Sequence, residues 1–337
     1  MSILFTFTFV IAAIMFKDIV EVFSNTFKMY ADYTMHSLKN PSWDNPFYIV
    51  PSICIITFIL EVVLPKKKNY STIGRKGFFL DLFYVFFIDF LLNILGFYAI
   101  TSVVEFVFRK LLAAIGIESV VVADIHHFPF FFQFLVAFIL VDFVQWLGHF
   151  MLHRFNFLWH FHKIHHAQEE LGFASTRHFH WFEYFVFKPL LYIPFNFLNF
   201  SVAEFVGIYL WFGLFFTFFS HCNVKVTWKW FNLIFISPET HYWHHAKNIP
   251  YKYGVNYAST LTLWDHLFGF FYYPKDKEPI LGVPDQKDIP SSFLGQMIFP
   301  FKEFFFRKKE NYQKLAEQPT RVKSETSKPN VWKKKKK

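Results

Sequence analysis

Four apolar stretches constrain this chain more than any other feature. Residues 2–16, 47–64, 78–104 and 128–148 each reach or approach the roughly 20 residues that cross a hydrocarbon core. In lipid, backbone N–H and C=O groups must satisfy one another, so such stretches are expected as helices. Hydrophobic residues make up 54% of the 337 positions and phenylalanine alone supplies 53, more apolar surface than an ordinary soluble core hides. The expected class is all-α: a multi-pass membrane protein.

Charge sets the orientation. The formal net charge is +9, with basic residues gathered at Lys66-Lys67-Lys68, Arg75-Lys76 and the Lys333–Lys337 tail. These border apolar stretches rather than interleave with aromatics on a soluble face. They therefore fit the positive-inside rule and anionic headgroups, and no nucleic-acid partner is expected. If 66–76 is cytoplasmic, the 128–148 span runs inward and delivers His149 to the cytoplasmic surface. The two cysteines, Cys54 and Cys222, provide neither a disulfide framework nor a thiolate metal site.

Four segments divide the chain. Residues 1–127 read as N-terminal membrane helices, the first a retained helix extending toward Phe27. Residues 128–290 read as the catalytic region, with a broken membrane hairpin at 184–219 that returns the chain to the same face. Residues 291–306 resemble an interfacial segment interrupted by Pro300, and 307–337 a basic disordered tail.

Twelve of the sixteen histidines lie between His149 and His245, eight of them in three clusters: His149/His153, His162/His165/His166 and His241/His244/His245. The i, i+4 pair shares one helix face. Adjacent histidines point about 100° apart, which suits metal on two sides. A mononuclear site needs three or four protein ligands, so eight indicate two metals in a histidine-rich cap. Imidazole suits Zn, Cu, Fe and Ni. A redox pair of irons activating O₂ beside a lipid explains both number and place; zinc is an alternative occupant in purified protein.

Other residues carry weaker signals. His36, His126, His127 and His266 read as helix-end or interface residues, and the offset of His160 points to the other helix face. His178 and His180 alternate with an aromatic and are candidates to line the site. His221 stands alone between helices. Asp142, Glu183 and Asp265 are candidates to accept the second ring N–H of a ligating histidine, with a helix cap or salt bridge as the competing role.

These motifs, from Asp142 to Phe270, resemble the fatty acid hydroxylase / sterol desaturase superfamily of membrane di-iron oxygenases. The resemblance rests on Asp142–Trp146 (DFVQW), His149–Arg154 (HFMLHR), Leu158–His166 (LWHFHKIHH), Phe219–Asn223 (FSHCN), Pro238–His245 (PETHYWHH), Asn256-Tyr257 and Trp264–Gly269 (WDHLFG). It implies a helical membrane base under a cytosolic cap with two Fe²⁺ ions. It further implies O₂-dependent hydroxylation or desaturation of a sterol, fatty acyl or ether lipid. Resemblance adds His221 to the eight clustered histidines as a ligand and marks Asn223 and Asn256 as further site residues. The closing motifs are most similar to bacterial sterol-desaturase-like proteins and alkylglycerol monooxygenases; the latter implies tetrahydrobiopterin.

Two departures stand out. The family's Arg-x-His-Pro-x-Glu element appears as Arg177–Glu183 (RHFHWFE), with one extra residue and Trp181 for proline, and Ala258 follows Asn256-Tyr257 where glycine is usual. No fused cytochrome b5 region is seen, so a separate donor, cytochrome b5 or a ferredoxin/reductase pair, is expected. The compartment reads as a bacterial inner membrane or the endoplasmic reticulum. The rival reading is a non-enzymatic metal-binding or metal-transport membrane protein. It predicts ionisable groups spread across several spans near mid-membrane, whereas these histidines cluster after the spans.

Overall fold

The computed structural model describes residues 2–306, apart from 43–44, 68, 89–91, 93–96, 118, 120, 188–189, 191–196, 199–209, 227, 229 and 275. Its helices are α1 Ser2–Lys39, α2 Pro46–Val63, α3 Phe78–Phe86, α4 Phe97–Ala114, α5 Phe130–Arg154, α6 Asn156–His166, α7 Phe215–His221, α8 Phe231–Ile234, α9 Pro238–His244, α10 Leu263–Phe268 and α11 Phe293–Phe306. Among the described residues there is no β-sheet, only isolated bridges such as Phe235 with Leu261 and Ala246 with Leu281.

Local chemistry explains the boundaries. At the start of α2, the Asn45 side chain accepts the N–H of Phe47 and Pro46 occupies the first turn, where its missing donor costs nothing. Gly77 precedes α3 with φ +86°, a left-handed conformation that side chains disfavour. α5 runs unbroken for 25 residues until Phe155, in an extended conformation, turns the chain into α6. A core built from Ile49, Val50 and Ile53 of α2, Phe78 and Val85 of α3, and Phe173, Phe218 and Cys222 joins the N-terminal helices to the histidine-bearing region.

Several expectations need adjustment. One described helix, α5, is long and apolar enough to cross a membrane, and the apolar part of α2, Phe47–Val63, is shorter. The first helix continues past Phe27 to Lys39. The 78–104 stretch is described as α3 and the start of α4, with most of the residues between outside the description. Most of the 184–219 hairpin and all of the 307–337 tail also lie outside the described residues. Within 291–306 the expected interruption at Pro300 is corrected: α11 continues through it. Its Gln296, Phe299 and Pro300 are buried and the helix packs on α6, so apolar burial outweighs the lost helix hydrogen bond.

Candidate metal centre

Four helices deliver nine histidines to one place. α5 carries His149 and His153 out of the apolar span, α6 carries His162, His165 and His166, α7 ends on His221, and α9 carries His241 and His244 with His245 as its cap. The short α9 is held by reciprocal bonds at its start. Ser237 Oγ accepts the N–H of Thr240, Thr240 Oγ1 accepts the N–H of Ser237, and Pro238 sits in the first turn.

The nine sort into two buried groups. His149, His153, His162, His166 and His244 form the five-histidine pocket, and His165, His221, His241 and His245 the four-histidine pocket. Within each, the potential ligand nitrogens lie within 4.8 Å of one another. The adjacent pairs His165/His166 and His244/His245 divide between the pockets, as a rotation of about 100° per residue requires.

Hydrogen bonds fix the tautomers. The Nδ1–H of His149 donates to Tyr257 O at 3.0 Å, His165 to His178 O at 3.3 Å, His221 to Thr217 O at 2.9 Å and His244 to Val255 O at 2.8 Å. A carbonyl only accepts, so the proton sits on Nδ1 and each Nε2 carries a lone pair. His162 Nδ1 faces Glu183 Oε2 at 2.8 Å, the same arrangement with a carboxylate acceptor.

The consequence is sharpest in the four-histidine pocket. His165 Nε2 lies 3.2 Å from His221 Nε2, and both are lone-pair atoms by the argument above. His221 Nε2 is 3.1 Å from His241 Nε2, which is 3.2 Å from His245 Nε2. Imidazole nitrogens bind Zn²⁺ at about 2.0–2.1 Å, which places neighbouring nitrogens of a tetrahedron about 3.3 Å apart. The observed spacing is that of ligands around a cation. In the five-histidine pocket the Nε2 atoms of His153, His162, His166 and His244 are buried without a hydrogen-bond partner, again the form of a metal site. The residues therefore fit a pair of metal ions.

Electrostatics agree. Burial, reinforced by neighbouring imidazoles, pushes His162, His165, His166, His241, His244 and His245 well below the ordinary histidine value, so all six are neutral at pH 7, the form that can bind a metal. Burial likewise pushes Glu183 up. A nearby cation opposes that shift and favours the carboxylate.

The remaining candidates have mixed fates. Glu183 reaches a pocket histidine directly. Asp265 acts one step removed: it accepts Trp146 Nε1–H and the N–H groups of Tyr257 and Ala258, steadying the peptide whose carbonyl holds His149. Burial raises Asp265 to about 6. Asp142 touches no pocket histidine in the described contacts; it holds Trp264 Nε1–H and the N–H of Leu261. Its place two turns before His149 on α5 puts it against the α10 segment.

Asn256, at φ +54°, donates to Thr240 O and Tyr272 O and so ties α9 to the following loop. Asn223 contributes its backbone: its N–H donates to Glu61 and its carbonyl accepts from Lys66. His180 donates to Met297 O and accepts from the N–H of Phe182, and His160 is buried, both outside the two groups. His178 also lies outside them, between Asp81 and Gln296. His36, His126, His127 and His266 are exposed.

Sequence reasoning missed three kinds of residue. Backbone carbonyls that orient the rings leave no side-chain signature. Glu61 and Asp81 sit in apolar helices, and Arg75 in a basic loop, yet all three are buried. Gly254, at φ +113°, comes so near His153 that a Cβ there would lie 3.1 Å from the ring Nδ1; a lone glycine in a polar loop carried no visible reason.

Residues 134–270 match the family model described as fatty acid hydroxylase, and this segment contains all nine histidines. Over this segment the chain is similar to the fatty acid hydroxylase family. An ornithine lipid hydroxylase from Rhizobium tropici is 29% identical over 177 residues, covering 51% of this chain and 51% of its own. Alkylglycerol monooxygenases from Xenopus tropicalis and Homo sapiens are 29% and 30% identical, covering 42% of this chain and 31% of theirs. The chain thus spans about half the length of the first relative and under a third of the others. No solved structure matches it. The superfamily resemblance read from the histidine motifs agrees with the hydroxylase domain match.

Proposed function

We propose that the chain is a membrane-bound di-iron oxygenase that hydroxylates or desaturates a lipid, using O₂ and externally supplied electrons. The observation that carries this reading is the pair of histidine pockets whose lone pairs converge on two points beside the end of α5. The named activities of the relatives, a lipid hydroxylase and lipid monooxygenases, support the substrate class.

Five histidines (149, 153, 162, 166 and 244) would hold one iron and four (165, 221, 241 and 245) the other. Two irons held there would supply the redox chemistry for O₂-dependent oxidation of an unactivated C–H bond. The chain's own part is to hold nine imidazoles buried from bulk water, five of them (His149, His162, His165, His221 and His244) oriented by hydrogen bonds at Nδ1. Glu183 holds His162, and Asp265, through Tyr257, holds His149. Rings locked in this way need no reorganisation when metal charge changes.

The same reading makes 1–127 a membrane base and 128–290 the catalytic region, facing the cytoplasm of a bacterium or the cytosolic side of the endoplasmic reticulum. Electrons come from a separate carrier, cytochrome b5 or a ferredoxin with its reductase, and tetrahydrobiopterin is the alternative donor suggested by the monooxygenase likeness. Iron analysis of purified protein should give about two irons per chain, as two pockets require. Lipid extracts from cells with and without the gene should differ by species that gain one oxygen atom or lose two hydrogens. Metal flux into proteoliposomes with no change in any lipid would overturn the assignment in favour of transport.

A further inference from the structure

The two pockets are braced from different parts of the chain. In the five-histidine pocket, His149, His162 and His244 lean on Tyr257 O, Glu183 and Val255 O, all within the matched domain. The direct acceptors of the four-histidine pocket, His178 O and Thr217 O, lie in that domain as well, but the segments around His178 and His221 lean on residues outside it.

Glu61 on α2 and Asp81 on α3 are both fully buried. A carboxylate within an apolar helix is costly and is retained where it has partners and a task. Glu61 Oε2 accepts the N–H of Phe173 at 2.8 Å and the N–H of Asn223, two residues past His221, at 3.3 Å. Asp81 accepts from Ser175 Oγ at 2.8 Å, takes the Nδ1–H of His178 and pairs with the buried Arg75 guanidinium. The His178 ring is stacked on Tyr84 at 4.1 Å and donates through Nε2 to Gln296 Oε1. Its carbonyl is the acceptor that sets His165. Space is closed here as well: a Cβ on Gly172 would stand 2.6 Å from Arg75 Nε and 3.1 Å from Glu61 Oε1.

We propose that Glu61 and Asp81 are the positioning residues of the four-histidine pocket, so that the N-terminal helices set its metal affinity while leaving the five-histidine pocket alone. Glu61 fixes the turn that follows His221, and Asp81 fixes the His178 segment that orients His165. This rests on the two-metal reading above.

The test counts metal rather than turnover. Full-length protein in detergent is stripped with chelator and titrated with Zn²⁺ or Co²⁺. His153→Ala confines tight binding to the four-histidine pocket and His241→Ala confines it to the five-histidine pocket. Adding Glu61→Ala to His153→Ala should weaken binding about 10- to 100-fold, the usual effect of losing a residue that orients a ligand. Adding it to His241→Ala should change affinity less than about twofold, well below that range. Glu61→Gln, which keeps an acceptor for both N–H groups, should restore most of the loss.

Equal affinity with and without Glu61→Ala, or the same weakening in both backgrounds, overturns the proposal. If Glu61→Ala does not fold, Asp81→Asn keeps the side-chain shape, removes the charge, and is judged by the same comparison. A wild-type chain that binds fewer than two metals sinks the two-metal reading instead, and is told apart by that count.

Discussion

Replacing Glu183 tests the five-histidine pocket directly. Its Oε2 accepts the Nδ1–H of His162 at 2.8 Å and its Oε1 the backbone N–H of His180 at 3.3 Å, and the residue is buried. Glu183→Gln keeps the shape and one acceptor but loses the negative charge that favours a proton on Nδ1 and a basic lone pair on Nε2. Glu183→Ala loses both acceptors, frees the His162 ring to turn and strands a buried N–H, which costs about 1–3 kcal/mol by itself. Losing a ligand's orienting partner weakens metal binding about 10- to 100-fold, or about 1.4–2.7 kcal/mol. The glutamine variant should fall near the low end and the alanine variant near the high end.

Competition between protein and a chelator of known affinity reads this out: one of two metals becomes easier to remove while the other keeps its wild-type affinity. An alanine variant that folds and holds both metals as tightly as wild type would refute the reasoning that His162 is a ligand oriented by this carboxylate.

Two further outcomes follow from the same geometry. The six pocket histidines outside α5 and α7 stay neutral in the native state while the unfolded chain protonates them near pH ~6.5, so below that value the unfolded state binds more protons. Metal-free protein should therefore keep full stability above about pH 6.5 and lose it on acidification by about 1.4 kcal/mol per pH unit for each such histidine; thermal melts in detergent that rise toward acid would contradict this. Lys163→Met should release α11, because the buried ammonium bonds Asp285 at 2.6 Å and Glu303 at 3.4 Å above the Phe299 ring. The cost should be about 1.5–3 kcal/mol, typical of hydrogen bonds to charged groups, seen as faster limited proteolysis at 285–306 with the metal count unchanged; a wild-type digestion rate would show that apolar contacts alone hold the helix.

The histidines were legible because nothing apolar replaces an imidazole as a ligand, and because spacing on a helix dictates direction. Even the division of His165 from His166 follows from helical rotation. Glu183 was visible for a related reason, since its spacing from His180 kept a familiar element in view. Glu61 and Asp81 were not, because a charge in an apolar run looks the same whether it meets a headgroup or a buried N–H. Arg75 was hidden among lysines that suit a membrane surface. Asp142 misled because being two turns before His149 fixes its helix face only roughly, and Trp264, 122 residues away, decides its partner. Pro300 misled because local propensity argues for a break where packing on α6 keeps the helix whole.

The unbroken course of α5 has a consequence for where on a lipid the chemistry falls. At 1.5 Å per residue, His149 stands about 29 Å along the axis from Phe130, close to the roughly 30 Å depth of a hydrocarbon core. With no hinge between span and ligands, the helix works as a depth gauge. On the proposed function, it would hold the metal pair at one level, near the polar boundary, whatever enters the site. A lipid whose headgroup stays in water would then offer the headgroup and its first few carbons, and a bilayer made thicker or thinner would shift which carbon is attacked.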